Sequence, residues 1–304
     1  MDGIINVYKE AGFTSHDVVA KLRGICRQKK IGHTGTLDPQ ATGVLPVCLG
    51  SATRACEMLT DRTKEYVAEL LLGKITDTQD TTGTVLEERE VAVDEAQVRE
   101  VIGSFVGGYD QIPPMYSALK VNGKKLYELA RAGKEVERQA RHVDLPAIEI
   151  LEIRLPVVKF RVECSKGTYI RSLCADIGGK LGCGGTMQSL VRTRVGEFRL
   201  TDALTLTQLQ ELRDTGRLEE ALLPTDRIFA DFNAVHVEEK WRKLIDNGNT
   251  FYPGQTMEQT TYPVGEWVRV YREDDSFVGI YAYDGAKEWY KPVKIFHSNT
   301  ESRK

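Results

Sequence analysis

The sequence predicts an α+β protein in two unequal parts, a larger domain over residues 1–232 and a small β-rich domain over residues 233–304. In the first part, apolar runs typical of buried strands are interspersed with amphipathic stripes typical of helices. After Asn233 the pattern changes to short alternating segments, which indicate a β-barrel-like unit. The chain has 304 residues, 41% of them hydrophobic, which is enough to bury a core in each part.

The first elements are predicted to be a strand, a helix, a loop and a second strand. Thr14 and Asp17 match a capping box at the start of the helix, and the basic run Arg27–Lys30 suits its C-terminal end. The apolar stripe of this helix consists of Val18, Val19, Leu22, Ile25 and Cys26. The sequences are GIINVYKEAG for the first strand, TSHDVVAKLRGICRQKK for the helix, GVLPVCLG for the strand after the loop, and ATRACEMLTDRTK for a short helix.

The rest of the chain alternates between strands and helices, with one basic excursion. A strand in EYVAELLLG leads into the polar turn KITDTQDTTG. Residues 113–141 are too basic and too often interrupted by turn residues to be core, so we expect an excursion with a helix near residues 126–132. Further predicted elements are helices at 94–106, 170–181 and 238–247, strands at about 146–153 and 157–164, and the β segments NAVHVEE, WVRVYRE, FVGIYAYDG and YKPVKIF.

The net charge of −3 is distributed unevenly along the chain. Residues 117–142 carry a net charge of +4 and residues 159–199 a net charge of +5, whereas residues 76–100 carry −6. This asymmetry fits a protein with one face that binds a polyanion, although solvated surface charge gives the same counts.

Composition also narrows the class of protein. No apolar run approaches the roughly 20 residues that span a bilayer, and the first residues lack the features of a signal peptide, so the cytoplasm is the expected compartment. The six cysteines form no C-x-x-C pair and the five histidines lack metal-ligand spacing. We therefore expect reduced thiols and no structural zinc site.

The polar stretch GHTGTLDPQATG, residues 32–43, joins two apolar runs and contains His33 and Asp38. Its glycines, threonines and Asp-Pro pair are typical of a loop, and taken alone they indicate a polar connection whose aspartate starts a turn. Two other polar turns accompany it. One holds Asp77 and Asp80, and in the other Lys166-Gly167-Thr168 leads into a helix that carries Arg171.

Three stretches together resemble the bacterial TruB family, the tRNA pseudouridine-55 synthases: GHTGTLDPQATGVLPVCLGSATR, KEYVAELLLGKITDTQDTTG and CSKGTYIRSLCADIG. The resemblance runs in order over about residues 3–230, and the C-terminal part is similar to the PUA domain, an RNA-binding module. It implies a mixed, mainly antiparallel β-sheet flanked by helices and loops, followed by a small PUA-like β-barrel. One position departs from the family pattern, because Lys9-Glu10-Ala11-Gly12 stands where K-P-x-G is frequent.

The activity implied by the resemblance is conversion of the uridine at position 55, in the T-loop of tRNA, to pseudouridine. This isomerisation breaks the N1–C1′ bond, turns the uracil and joins C5 to C1′, so it requires no redox change and no cofactor. It does require a carboxylate, which attacks C1′, attacks C6 or removes a ribose proton, and the family motif assigns this role to Asp38. The motifs also give Tyr66 as a platform for the flipped base that helps to remove the C5 proton, and Arg171 as the guanidinium that keeps Asp38 ionised.

Further contacts with the RNA follow from the same resemblance. Asp80 is expected to hold Arg171 from the side opposite Asp38, and His33 to fill the space that the flipped nucleotide leaves. The lysines of the excursion are expected to contact phosphates. The predicted substrate-binding residues are His33, Tyr169, Leu190, Asp80, Lys166, Lys120, Lys124 and Lys125.

Two other functions stay open on the sequence alone. A tRNA-binding folding factor would use the C-terminal domain and the basic excursion, with catalysis secondary. A nuclease would use Asp38, Asp77 and Asp80 as a metal-binding carboxylate cluster. For the synthase, the expected partner is the T-arm of tRNA, with no metal, no cofactor, no membrane and no obligatory protein partner, and the chain is expected to act as a monomer.

Overall fold

The structure of this chain is a computed structural model that describes residues 1–121 and 123–296. Its strands are β1 (Gly3–Lys9), β2 (Ile31–His33), β3 (Thr42–Leu49), β4 (Lys64–Leu72), β5 (Lys74–Thr76), β6 (Val85–Glu88), β7 (Tyr109–Gln111), β8 (Lys120–Val121), β9 (Lys124–Lys125), β10 (Arg141–Val143), β11 (Ala147–Arg154), β12 (Val157–Cys164), β13 (Gly185–Val195), β14 (Phe198–Arg199), β15 (Asn233–Val237), β16 (Trp267–Arg272), β17 (Phe277–Asp284) and β18 (Trp289–Ile295). Its α-helices are α1 (Ser15–Ile25), α2 (Cys56–Thr60), α3 (Glu95–Gly103), α4 (Leu126–Arg131), α5 (Ile170–Lys180), α6 (Leu206–Asp214) and α7 (Arg242–Asp246).

Helix α1 begins at the capping box that the sequence predicts. The Thr14 hydroxyl accepts a hydrogen bond from the Asp17 amide, and the Asp17 carboxylate accepts one from the Thr14 amide. The five apolar residues of the predicted stripe are all buried, and they pack against β1, β3 and α6. The helix therefore covers one face of the sheet next to the loop that follows β2.

A mixed sheet forms the centre of the larger domain and confirms the predicted fold class. Its main strands lie in the order β1-β3-β13-β4-β12-β11, with β2 and β14 paired to β3 and β13. Neighbouring strands are antiparallel except for β3 and β13, which run parallel. Helix α5 lies over β13 and β4, and its residues Leu173 and Ile177 pack there in a hydrophobic core with Leu70 and Phe160.

Nothing in the hydrophobic pattern predicts β13, although this strand lies between β3 and β4 at the centre of the sheet. The register between β13 and β4 shifts twice, between Met187 and Ser189 and between Arg192 and Arg194. These irregularities break the period of two that marks a half-buried strand, and a buried arginine interrupts the apolar face.

Three predictions need correction. The single helix predicted at 238–247 is a 3₁₀ turn over Glu239–Trp241 followed by the short α7. The segment after β3 is a 3₁₀ turn over Gly50–Ala55 followed by the five-residue α2, rather than one short helix. The expectation that residues 113–141 lie outside the core is wrong at their N-terminal end, where Pro113, Pro114 and Ser117 are buried, and at Leu126, which is fully buried at the start of α4. The predicted helix within this excursion is present as α4.

The C-terminal part forms a separate four-stranded sheet, as the sequence predicts. The order is β15-β16-β17-β18, with β15 parallel to β16 and the other pairs antiparallel. Residues 297–304 of the predicted domain lie outside the described residues. This sheet has its own core, formed by Val235, Val237, Ile245, Phe251, Val268, Val270, Val278, Tyr281 and Tyr290.

The two parts also share a hydrophobic contact. Phe229, Ile280 and Phe296 pack in one cluster with Ala52 of the turn that follows β3. Near this cluster, Arg54 donates a hydrogen bond from Nη1 to the carbonyl of Ile295 at 2.7 Å. Over the described residues, every helix is too short or too polar to cross a bilayer.

Two adjacent glycines of α5 give a test of how closely this helix packs on β13. A methyl group added at Gly178 would overlap the backbone of Gly184 and Gly185, whereas one added at Gly179 would meet nothing within 4 Å. We expect Gly178→Ala to lower the free energy of unfolding by at least about 2 kcal/mol, because backbone must move. Gly179→Ala is the matched control and should raise it by up to about 1 kcal/mol through helix propensity. Urea unfolding of both variants measures the difference, and equal effects would contradict the close approach.

Candidate active site

The guanidinium of Arg171 connects four segments of the chain in the interior of the larger domain. Its Nε lies 2.9 Å from Oδ2 of Asp38, and Nη2 donates to Oδ1 of the same carboxylate at 3.4 Å. Nη1 donates to the carbonyl of Thr78 at 3.0 Å and lies 3.6 Å from Oδ2 of Asp80. Nη2 also donates to the carbonyl of Tyr116 at 2.9 Å. Arg171 therefore joins two carboxylates through a side chain that is only 7% exposed.

The start of α5 fixes the position of Arg171. Tyr169 occupies the N-cap of this helix without a capping side-chain bond of its own. The buried amide of Gln111 holds it instead, because Oε1 accepts from the Tyr169 amide at 2.8 Å and Nε2 donates to the Tyr169 carbonyl at 3.0 Å. Arg171 follows in the first turn and points into the sheet side of the helix, where it is 6% exposed as a residue.

Asp38 lies in the loop between β2 and β3, and its neighbours on both sides are anchored. The Leu37 amide donates to the buried Ser15 hydroxyl at 3.0 Å. The Pro39 carbonyl accepts from Nζ of Lys9 at 3.0 Å and from the amide of Gly12 at 2.9 Å. The side chain of Asp38 is itself 38% exposed, so the carboxylate is fixed from behind and open in front.

Competing effects set the protonation of Asp38. Burial raises the pKa of this carboxyl, and the nearby charge of Asp80 raises it further. The cations Arg171 and Lys9 act in the opposite direction, and the net result is a pKa above the usual 3.8. The Asp38 carboxyl therefore holds its negative charge less easily than that of an exposed aspartate.

Asp80 meets Arg171 from a tight turn, whereas Asp77 does not join it. The Oδ1 atom of Asp80 accepts from the Thr78 hydroxyl at 2.8 Å and from the Thr82 amide at 3.0 Å. Asp77 accepts from the Thr84 amide at 2.8 Å and so closes the same turn. Within the described part of the chain, no group of three or more potential ligands is placed to hold a metal ion. Of the three aspartates in the nuclease hypothesis, Asp38 and Asp80 both contact Arg171, and Asp77 closes a turn.

Tyr66 and Leu190 contribute to the apolar side of the site. Tyr66 on β4 is 7% exposed, and Leu190 on β13 is 9% exposed; both belong to the core cluster that includes Leu37, next to Asp38. Burial raises the pKa of the Tyr66 phenol, while the charge of Arg192 opposes this shift. The phenol is therefore neutral at ordinary pH.

Arg192 is a residue of this site that the sequence analysis misses. It lies opposite Tyr66 in the register between β13 and β4, and it is 1% exposed. Its Nε donates to the Val44 carbonyl at 2.7 Å, and its two terminal nitrogens donate to the carbonyls of Thr36 and Gly35 at 3.5 and 3.4 Å. Arg192 thereby holds the loop that carries Asp38. Recognition of β13 as a strand would have placed it on the same face as Leu190.

His33 lies at the start of the Asp38 loop. Its ring meets that of His16 edge-on, with centroids 5.2 Å apart, and its Nδ1 accepts from the Gly35 amide at 3.3 Å. Burial, followed by the charges of His16 and Arg192, lowers the pKa of His33. The imidazole is therefore predominantly neutral at neutral pH.

The four predicted lysine contacts lie away from this cluster. Lys166 is exposed and ion-paired with Asp61 at 2.8 Å. Lys120 and Lys124 are exposed on the β8–β9 hairpin, and Lys125 donates to the Tyr127 hydroxyl at 3.1 Å. In the described residues, none of the four forms a hydrogen bond or ion pair with Asp38 or Arg171.

Three cations are buried in this part of the domain: Lys9 and Arg192 beneath the Asp38 loop, and Lys64 at the start of β4. Lys9 is fully buried and donates to the carbonyls of Glu10 and Pro39, and Lys64 donates to those of Thr60 and Arg62. Burial lowers the pKa of each lysine to about 8. Among the described residues, none of the three cations has a carboxylate within 4 Å, so they make the floor of the site electropositive.

Two family models match consecutive parts of this chain. Residues 23–170 match the family model described as TruB family pseudouridylate synthase (N terminal domain). Residues 171–230 match the model described as tRNA pseudouridylate synthase B C-terminal domain. Together the two matched segments contain Asp38, Tyr66, Asp80, Arg171 and Arg192.

Similar proteins match over nearly the whole chain. The tRNA pseudouridine synthase B of Lachnoclostridium phytofermentans is 53% identical over 306 residues, which cover 97% of this chain and 100% of that protein. The tRNA pseudouridine synthase B of Alkaliphilus oremlandii is 49% identical and covers 97% of each chain. Among solved structures, an H/ACA RNP bound to a substrate RNA containing 2′-deoxyuridine has a chain that is 27% identical, with a TM-score of 0.74 and coverage of 98% of this chain and 86% of that one.

The buried Lys9, which donates to the carbonyl next to Asp38, leads to a prediction about stability and pH. The pKa of Lys9 is about 8 in the folded protein against 10.5 for an exposed lysine, so between these values the unfolded chain holds more protons. Relative to Lys9→Met, the free energy of unfolding of the wild type should therefore rise with pH over this range, by up to about 3 kcal/mol. Urea unfolding from about pH 7 to about pH 10.5 measures this difference. Lys74→Met, which removes an exposed lysine on β5, is the control; the prediction is wrong if both differences are independent of pH.

Proposed function

The chain belongs to the TruB family of pseudouridylate synthases, and from this membership we propose that it converts the uridine at position 55 of the tRNA T-loop to pseudouridine, with Asp38 as the catalytic carboxylate. The observation that carries the proposal is the pairing of a half-open Asp38 with a buried Arg171 that Asp80 holds from another side. A carboxylate fixed in this way faces a substrate in its ionised form.

The chemistry needs one ionised carboxylate and a base turned out of its stack. The N1–C1′ bond breaks, the uracil rotates, the C5–C1′ bond forms, and the proton on C5 leaves, so atoms and electrons balance without an oxidant or a cofactor. Attack of Asp38 on C1′, attack on C6, and abstraction of a ribose proton all begin from the same ionised group. The ion pair with Arg171 supports each route, because it opposes the rise in pKa that burial causes.

We assign Tyr66 to the platform on which the flipped uracil stacks. Its ring lies in the core beside Leu190, and Arg192 holds the loop opposite. A role as base in removal of the C5 proton requires the phenolate, which burial disfavours because it raises the pKa of Tyr66. Stacking uses the neutral ring and needs no ionisation.

The remaining substrate contacts are proposed from the family motifs. His33 fills the position of the flipped nucleotide, and Tyr169 and Leu190 line the bound uridine. Lys120, Lys124 and Lys125 of the excursion contact phosphates, and so does Lys166. Contacts of this kind supply affinity rather than sequence specificity.

We also propose that residues 233–304 act as a PUA-like RNA-binding domain and residues 1–232 as the synthase domain. The separate four-stranded sheet supports this division. We propose in addition that the chain acts on tRNA by itself, without an obligatory protein partner.

Release of tritium from uridine C5 tests the activity and the role of Asp38 together. With tRNA labelled at this carbon, a chelator and no cofactor, the wild type should release tritium from the T-loop uridine. Asp38→Asn should reduce release by more than about 1000-fold, because it removes the reacting carboxylate, while it retains tRNA binding. Comparable turnover in Asp38→Asn would contradict the assignment. Tight binding of tRNA by the wild type without release would favour the folding-factor function.

The pH dependence of kcat/KM tests the environment of Asp38. Activity should fall with decreasing pH as Asp38 gains a proton, at a pH above 3.8 because the pKa of this carboxyl is raised. Asp80→Asn removes a charge that raises this pKa, so the acid limb should move to lower pH. Asp77→Asn changes the same turn without contacting Arg171 and should leave the limb in place. An acid limb that Asp80→Asn moves to higher pH, or leaves unmoved, would count against the proposed coupling; circular dichroism at each pH checks folding.

A further inference from the structure

A surface pocket of about 460 Å³ lies beside the Asp38 loop and is lined by basic side chains. It is formed by one face of α1, the basic run after that helix, strand β2 and the turn after β3. Arg23, Lys29 and Lys30 supply its positive charge, and His16 and His33 line it as well. No aspartate or glutamate is among the lining residues that the structure describes.

The three cations of this pocket have little neutralising charge near them; the Asp2 carboxylate interacts electrostatically with Lys30, but it accepts its hydrogen bond from the Ser51 amide. Over residues 1–121 and 123–296, none of Arg23, Lys29 and Lys30 forms an ion pair within 4 Å. All three are exposed, so their charges are available to a ligand from solvent. A cluster of unpaired cations around a concave surface matches the charge of a phosphate group.

Backbone and side-chain hydrogen bonds hold the basic run in place. Nε of Arg23 donates to the Lys29 carbonyl at 3.2 Å, and its two terminal nitrogens form no hydrogen bond with the described residues. The Lys30 carbonyl accepts from the Gly50 amide at 2.9 Å and from Nε2 of Gln28 at 3.3 Å. The cations are therefore carried on an ordered loop, which lowers the entropic cost of binding an anion.

Strand β2 connects this pocket to the catalytic loop. Gly32 and His33, at the end of β2, line the pocket. From there the chain continues through Gly35 and Thr36, whose carbonyls accept hydrogen bonds from Arg192, to Asp38. A side chain at position 32 would crowd Sγ of Cys56 at 3.3 Å, so glycine keeps this wall of the pocket open. An RNA strand that passes His33 on its way from the target uridine would meet the pocket.

We propose that this pocket binds a phosphodiester of the substrate RNA that flanks the target uridine. The inference rests on the proposed function, because it takes RNA as the ligand. In this role Arg23 provides a planar donor pair, Lys29 and Lys30 provide point charges, and Val19 and Ile31 supply an apolar wall for the adjoining sugar. The pocket does not include the basic excursion 113–141. Its cations precede His33 in the sequence, whereas the excursion follows it, so the pocket would add a second region of contact with the RNA.

Salt dependence of RNA binding provides the first test. In an Asp38→Asn background, the double substitution Lys29→Gln/Lys30→Gln should weaken binding of a T-arm RNA about tenfold at moderate salt. It should also reduce the slope of log K against log salt by roughly 1 to 2, because up to two phosphate contacts are lost. Lys21→Gln removes a charge from the same helix outside the pocket, where Lys21 packs over Phe13, and should change neither quantity.

Neutral methylphosphonate linkages in the RNA locate the contact. One linkage flanking the uridine should weaken binding to the protein with intact lysines and cause little further loss with the double variant, because both changes remove the same contact. Additive losses at every flanking linkage would overturn the proposal. Thermal unfolding of each variant separates a folding defect from a binding defect. Lower stability with an unchanged salt slope would show that these cations stabilise the C-terminal end of α1 and do not bind phosphate.

The wild-type tritium assay distinguishes the two levels of inference. Release of tritium together with unchanged binding by the double variant would overturn the pocket and leave the proposed function intact. Absence of release would overturn the proposed function itself, whereas the salt slopes and methylphosphonate data would still report whether the pocket binds an RNA phosphate.

Discussion

The ion pair between Arg171 and Asp38 is the constraint on which the site depends. A buried guanidinium is costly unless each of its donors finds a partner, and here the partners come from distant parts of the chain. Asp38 lies on the loop after β2, Thr78 and Asp80 on a turn between β5 and β6, and Tyr116 on the excursion. The helix start that presents Arg171 is in turn held by Gln111. Satisfying one side chain thus brings four segments to one place and leaves the carboxylate of Asp38 partly open to solvent.

Charge beneath the loop complements this ion pair. Lys9 and Arg192 donate to carbonyls on both sides of Asp38, at Pro39 and at Gly35 and Thr36. They fix the backbone by hydrogen bonds and contribute positive potential, while the carboxylate itself is left to Arg171. The exposed cations Lys29 and Lys30 extend the positive region to the surface. A polyanion therefore encounters positive charge before it reaches the buried pair, despite a negative net charge for the whole chain.

Features that depend on residue types at fixed spacing could be predicted from the sequence, whereas features that arise from packing between distant segments could not. The capping box of α1, the polar loop around Asp38 and the turn around Asp80 are visible in residue types at fixed spacing. Strand β13 is not, because two register shifts interrupt its alternation, and Arg192 is buried there only because three carbonyls accept its protons. The burial of Pro113 and Ser117 has a similar origin, since the segment is drawn inward where Arg171 binds the Tyr116 carbonyl. The roles of individual site residues stay predictions.

The position of β13 in the chain has a consequence for biosynthesis. This strand occupies the gap between β3 and β4, yet its residues follow theirs by more than a hundred positions, and Val191 pairs with Thr42. As the chain leaves the ribosome, β3 and β4 emerge with facing edges that have no neighbour until about two-thirds of the protein has been made. Exposed edges of this kind are sites of wrong pairing between nascent chains. Apart from the two-residue β14, strand β13 is thus the last part of the large sheet to be completed, and an interrupted translation product would contain the Asp38 motif without the strand that supports it.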